Sequence, residues 1–179
     1  MKARIALFGL VAALATPAVA GPDAFSHGPL VPGFGAVAKV NSDLPAPANL
    51  DYKVAFDIGV GAPGSRSKKL DAVARLMNML NASGVPASRI HPAVVVHNEG
   101  LWDVVGNERY GKQFGGVENP NAELVRALLA KGVPIYVCGQ SAAWSDVSKA
   151  DLIPGVKMAL SAMDAHAILN RQGYSLNPF

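Results

Sequence analysis

The apolar positions of this chain change period several times, and each change marks an element. Tyr52-Lys-Val-Ala-Phe-Asp-Ile58 reads as a first strand. Leu70, Val73, Ala74, Met77 and Leu80 then recur at helical spacing, with Lys68, Asp71, Arg75 and Asn78 on other faces. Ser65 or Ser67 can cap that helix, and Gly84 followed by Pro86 ends it. The intervening Gly59-Val-Gly-Ala-Pro-Gly64 lacks a Walker lysine and dinucleotide spacing, so it reads as a tight turn in preference to an anion site. Ala93-Val-Val-Val96 is a β-branched run suited to a strand buried on both faces. Residues 103–118 hold four glycines and little periodicity, the pattern of a long functional loop or lid. Asn119-Pro-Asn121 opens a helix carrying Leu124, Val125, Leu128 and Leu129, closed by Lys131-Gly132. Pro134-Ile-Tyr-Val-Cys138 is the next strand, residues 142–152 predict one short helix, and residues 156–160 a further strand. Ser161 caps a last helix that turns Met163, Ala167 and Ile168 inward and stops at Gly173. Residues 174–179 close the chain as an edge strand, where Pro178 is tolerable. Strand–helix alternation of this kind predicts a three-layer α/β fold: a doubly wound, mainly parallel five-stranded sheet with helices on both faces.

The chain ahead of residue 51 follows no such period. Residues 21–50 are rich in Gly, Pro and Ala and read as an extended arm, with Phe25, Leu30, Val31 and Phe34 available to lie on the domain or a neighbouring subunit. Residues 1–20 combine Lys2 and Arg4, an apolar run from Ile5 to Ala15, and Ala18-Val-Ala20 before Gly21. That layout predicts a cleavable secretory signal peptide, hence export to the periplasm and no membrane attachment once it is removed. The globular α/β domain then occupies residues 51–179.

Charge adds little. Without Lys2 and Arg4 the formal balance of +3 becomes +1, and no basic stripe with interleaved aromatics is present, which argues against nucleic acid as a partner.

Cysteine usage changes the picture more. The 179-residue chain has one cysteine, Cys138, so no internal disulfide can hold the fold. Free cysteines are common in cores, and on composition alone packing and chemistry carry equal weight. Position favours chemistry. Cys138 ends a buried strand, and Gly139-Gln-Ser141 can open a helix whose first N–H groups favour thiolate over thiol. Open α/β sheets keep their ligands at such strand ends. His97, at the end of the preceding strand, is the candidate proton shuttle, and Glu99 the candidate to hold its imidazole. Asn98, Glu99, Gly139, Gln140 and Ser141 are the candidate binding residues around them. The plain alternative is that His97 and Glu99 satisfy nearby loop backbone. His166, in the last helix, reads as structural; His91, before a proline at the far end of its strand, and His27, on the arm, as ordinary residues. Four histidines and one cysteine without paired ligand spacing point to no metal and no cofactor, and no G-x-S-x-G elbow supports a serine hydrolase.

The segments Val94-Val-Val-His-Asn-Glu-Gly100, Gly132-Val-Pro-Ile-Tyr-Val-Cys-Gly-Gln-Ser141, Leu152-Ile-Pro-Gly-Val156 and Gln172-Gly-Tyr174 keep an order and spacing that resembles the DsrE/DsrF-like family, in its exported branch. The resemblance covers about Tyr52 to Phe179. It implies a compact five-stranded parallel α/β fold, trimers or hexamers, and a strand-end cysteine that accepts and passes on persulfide sulfur, a role that falls on Cys138. A sulfur donor or acceptor protein, or a small thiol, is the partner it implies. This chain departs from cytoplasmic relay proteins in its export signal and in lacking a second cysteine. Two other readings stand beside the sulfur carrier: a small-ligand-binding module without catalysis, and an oligomeric accessory protein recognised through residues 103–118.

Overall fold

The computed structural model describes residues 21–177. The expected signal peptide, and Pro178 and Phe179 of the last strand, lie outside the described residues.

Five parallel strands form the sheet: β1 (Tyr52–Ile58), β2 (Ile90–Val96), β3 (Ile135–Cys138), β4 (Lys157–Ala159) and β5 (Ser175–Asn177), in the spatial order β4-β3-β2-β1-β5. Val54, Phe56 and Ile58, Val94 and Val96, and Ile135 and Val137 point to one face, where α1 (Lys68–Ala82) and α3 (Ala122–Ala130) cover them with Leu70, Val73, Met77, Leu124 and Leu128. α5 (Ala162–Arg171) covers the other face, packing Ala165 and Leu169 on Ala55, Ala93 and Val95. The three-layer, all-parallel arrangement is the one expected from the alternating pattern.

Three local expectations need correction. The last helix buries Ala165 and Leu169, not Met163, Ala167 and Ile168; Met163 is 81 % exposed and Ile168 53 %. Ala165 and Leu169, one turn apart, form the face turned to the sheet, and that phase puts Met163, Ala167 and Ile168 on the outer side. Residues 103–118 are not a structureless loop: they contain the end of a 3-10 segment (Asn98–Val104) and a helix, α2 (Asn107–Gln113), whose Tyr110 is fully buried. Residues 142–152 are not one helix either. α4 (Gly139–Trp144) begins directly after β3 and ends at Ser145, Asp146 takes φ 51°, and a short 3-10 turn follows at Lys149–Asp151.

The arm is part of the fold. Val31 and Phe34 join the main core, and Asn78 of α1 is fully buried beneath them. Its Oδ1 accepts from the N–H of Leu30 (3.1 Å) and Val31 (2.9 Å), and its Nδ2 donates to the carbonyls of Val31, Phe34 and Gly35. Asp71 Oδ1 accepts from Gly35 N–H, and Arg75 Nε donates to Ala36 O. Gly35 has φ 58°, and a Cβ there would collide with the backbone N of Arg75, so only glycine brings the arm this close.

A buried polar knot fixes the loop between β1 and α1. Asp103 Oδ1 accepts from Ala62 N–H (3.1 Å) and from Asn121 Nδ2 (3.1 Å). Asn121 Oδ1 accepts from Ser67 N–H at 2.7 Å, and Asn119 Nδ2 donates to the carbonyls of Trp102, Asp103 and Val105. Asp103 Oδ2 has no partner among the described residues. Burial pushes the Asp103 carboxyl above its ordinary range, against the hydrogen bonds from Ala62 N–H and the Ser67 hydroxyl. The folded protein therefore holds this proton more tightly than the unfolded chain does, and stability falls as pH rises from the unfolded value of 3.8 through the folded one. Asp103→Asn keeps the Oδ1 acceptor and removes the charge. The urea midpoint of wild type is expected to lose more between about pH 4 and about pH 7 than that of the variant, whose difference should be smaller.

Candidate functional site

β3 delivers Cys138 to the carboxyl end of the sheet because Ile135 and Val137 anchor the strand in the core. Gly139 then starts α4 without a spacer. A Cβ on Gly139 would stand 2.6 Å from Ala159 O and 3.1 Å from Leu160 O, so α4 begins hard against the end of β4. Opposite it, α5 starts at Ala162, its entry set by a capping box between Ser161 and Asp164.

The Cys138 thiol lies where these two helix starts converge, and the residue is 6 % exposed. Burial pushes its pKa up. The Ser141 hydroxyl and the backbone N–H groups of Ser141, Ala162 and Gln140, which favour the thiolate, outweigh it and hold the thiol below its usual value. Asn98 N–H donates to Ser141 Oγ at 2.9 Å, which occupies that oxygen as acceptor and leaves its proton for the sulfur. Asn98 itself sits at φ 47°, a conformation asparagine tolerates better than most residues. Ser141→Ala removes one donor from the sulfur and orphans Asn98 N–H. Its thiol is expected to titrate at higher pH than wild type and to react more slowly with iodoacetamide at neutral pH, as followed by mass spectrometry.

His97 follows β2 as Cys138 ends β3. Val96 pairs with Val137, so His97 and Cys138 are the next pair in step, on the same face of the sheet. No hydrogen bond joins them. The imidazole is instead turned to β1, with Nε2 3.1 Å from Asp57 Oδ1 and 3.3 Å from Oδ2. His166 of α5 places its Nε2 2.7 Å from the same Oδ1. Burial raises the Asp57 pKa, but the hydrogen bonds from His166 and His97 and their charge outweigh it and hold the carboxyl below its ordinary value.

One sequence expectation changes here and another gains a partner. Glu99 does not hold the His97 imidazole; it lies on the 3-10 segment, exposed, and Asp57 takes that role. His166, expected to be structural, is the second histidine on Asp57. Both follow from strand alternation. Asp57 lies between inward-facing Phe56 and Ile58, so it must face α5, and its place at the strand's carboxyl end was the signal available in the sequence.

A cleft of about 620 Å³ opens above the strand ends, lined by Gly59, Asn98, Glu99, Trp102, Gln140, Ser141, Trp144 and Ser145. Four of the five expected binding residues, Asn98, Glu99, Gln140 and Ser141, are in its wall. Gly139 is not, and serves packing. Arg109 stacks its guanidinium 4.9 Å from the Trp102 ring centre and donates to Ser145 O, fixing one wall. Trp144 is 92 % exposed at the lip. Cys138 is not itself in this wall; Gln140 and Ser141, which follow it in the chain, are. Among the described residues no cluster of His, Cys, Asp and Glu has the geometry to hold a metal ion.

A strand-end thiol set among hydrogen-bond donors beside a histidine-bearing strand end invites comparison with known proteins. The DsrE/DsrF-like family model matches residues 53–178. The chain belongs to the DsrE/DsrF-like family. The family is one implicated in sulfur relay. Among solved structures the chain is similar to the YchN protein of E. coli, with 16 % identity, a TM-score of 0.52, and coverage of 72 % of this chain and 99 % of that one. It also matches MTH1491 of Methanobacterium thermoautotrophicum, a protein of unknown function, at 17 % identity and a TM-score of 0.49, covering 72 % of this chain and 100 % of that one. No curated protein matches. At these identities the structural likeness to YchN concerns the fold.

Proposed function

We propose that this protein is a thiol-based carrier of sulfane sulfur, working in the periplasm, with Cys138 as the acceptor. The observation that carries the reading is the place of Cys138 at the end of β3, between the starts of α4 and α5, whose N–H groups together with the Ser141 hydroxyl hold its thiol below the usual value. They favour the thiolate, which is the nucleophile. The thiolate attacks the outer sulfur of a donor persulfide, R–S–SH. A new S–S bond forms at Cys138, the donor's S–S bond breaks, and the donor leaves as a thiolate, R–S⁻. Charge and electrons balance without an outside oxidant or reductant. A proton taken from the Cys138 thiol by His97 returns to the departing thiolate, provided the imidazole swings or a water bridges the register pair.

With one cysteine, the chain has no second thiol to resolve the loaded persulfide, so the acceptor is a thiol on another molecule. The basic start and apolar run at residues 1–20 support export. Exposed Trp144, Leu160 and Met163 near the site support association into a homo-oligomer, for which the family resemblance suggests a trimer or hexamer. The cleft favours a second reading, a small-ligand-binding module, because its indoles and amides form a wall that needs no thiol.

The two readings separate on one assay. Protein incubated with a small-molecule persulfide and freed of excess donor should release sulfane sulfur to cyanide, while Cys138→Ser should release none. Equal release from both proteins would remove Cys138 from the chemistry and leave the binding reading standing.

A further inference from the structure

The carboxylate of Asp57 receives two imidazoles on a single oxygen, and the two come from different layers. His97 belongs to the end of β2, His166 to α5. An ionised carboxylate only accepts hydrogen bonds, so each neutral imidazole on it must carry its proton on Nε2. Nδ1 of each ring is then the basic nitrogen, and neither Nδ1 has a hydrogen-bond partner among the described residues. For His97 this is the nitrogen on the side of the ring away from its Asp57 contact. For His166 the bond has a mechanical result. α5 is tied to β1 one turn after Ala162, the residue at the helix start whose N–H favours the Cys138 thiolate.

We propose that Asp57 is a positioning residue serving both parts of the thiol site at once: through His97 it sets the tautomer of the base beside Cys138, and through His166 it clamps the first turn of α5 onto the sulfur. His166 is the other half of that clamp. The proposal rests on the reading of Cys138 as a reactive thiol and extends it to two residues that touch no substrate. The remaining charged groups on this sheet face do not compete. Lys53 sends its Nζ to Gln172 O, His91 lies at the opposite end of β2, and Lys157 is exposed on β4. On α5 itself, Asp164 is engaged by Ser161.

Charge and clamping predict opposite outcomes when Asp57 is removed, which makes the test decisive. Loss of a nearby anion would by charge alone make the thiol ionise more readily. Loss of the clamp withdraws the Ala162 N–H and makes it ionise less readily. Asp57→Val suits a strand, and His166→Phe retains a ring on α5. For each purified variant the rate of Cys138 alkylation by iodoacetamide is followed across pH, with thermal melting as a check on folding. The clamp predicts that both profiles move to higher pH and that alkylation at neutral pH slows by about threefold or more. An unmoved profile in either folded variant, or a move to lower pH in Asp57→Val, overturns it. The wild-type protein supplies a test independent of any variant. Imidazole nitrogen NMR shifts should show the Nε2–H tautomer for neutral His97 and His166, and an Nδ1–H tautomer at either overturns the proposal. Alkylation reads thiol acidity without any persulfide, so failure of sulfur loading and failure of the clamp are separate results.

Discussion

Asn78→Leu is expected to lower stability by about 3 kcal/mol and to expose the arm to proteolysis around residues 26–36. One buried amide answers two N–H groups and three carbonyls of the arm. Leucine is close to asparagine in volume but offers no partner, and each buried polar group left unpaired costs about 1–3 kcal/mol. The full sum will not be reached, because the arm can leave. Detachment exposes Val31 and Phe34, each worth about 1.5–3 kcal/mol of burial, and returns conformational freedom to a Gly- and Pro-rich segment. The net is about 3 kcal/mol, or roughly a 10 °C fall in Tm for a chain of this size. Thermal melting gives the first number, and limited proteolysis with mass readout locates the cut. Cleavage confined to other segments, with an unchanged Tm, would mean that the arm is held by something other than Asn78.

Gly139→Val is expected to impair folding and thiol chemistry together. The added Cβ meets two backbone carbonyl oxygens, Ala159 O at 2.6 Å and Leu160 O at 3.1 Å, neither of which can rotate aside. Either α4 lifts away from the β4 end, or the 159–160 corner moves and takes the start of α5 with it. Both routes withdraw N–H donors from Cys138: Gln140 and Ser141 in the first case, Ala162 in the second. Overpacking of this kind costs about 1–3 kcal/mol. The folded variant should also show a thiol that titrates at higher pH and alkylates more slowly at neutral pH. A variant that melts lower with an unchanged alkylation profile would detach the packing of Gly139 from the acidity of Cys138.

The centre of the sheet was legible in the sequence because β1, β2 and β3 are largely apolar runs that lie in the core, whereas the edge strands β4 and β5 are three residues long and partly exposed. Val94 to Val96 could hardly be anything else. The amphipathic pattern of α1 was equally plain, although Asn78, assigned there to a polar face, is buried beneath the arm. α2 was hidden because a single buried residue, Tyr110, anchors its seven residues, and one anchor makes no period. α5 was legible as a helix, but its inward face was misread from hydrophobicity. The phase of the helix turns Ala165 and Leu169 to the sheet and leaves Met163 and Ile168 outside.

The site was partly legible. Cys138, Ser141, Asn98 and Gln140 are near neighbours along two strand ends, and position along the chain was enough to group them. The partner of His97 was not, because the chain places Asp57 forty residues before His97 and His166 well over a hundred residues after Asp57. Only the parallel register of β1 with β2, and the passage of α5 across the opposite face, bring the three together. Glu99 was nearer in sequence and chemically suitable, yet the 3-10 turn after His97 carries it away to the cleft.

The central claim, that Cys138 takes up one sulfur atom, is tested most directly by intact-mass analysis of the purified protein before and after a small-molecule persulfide donor. Wild type should gain the mass of a single sulfur, about 32 Da, that dithiothreitol removes, and Cys138→Ser should gain nothing under the same conditions. A wild-type mass that stays unchanged in the folded protein, or an equal gain in Cys138→Ser, would contradict it.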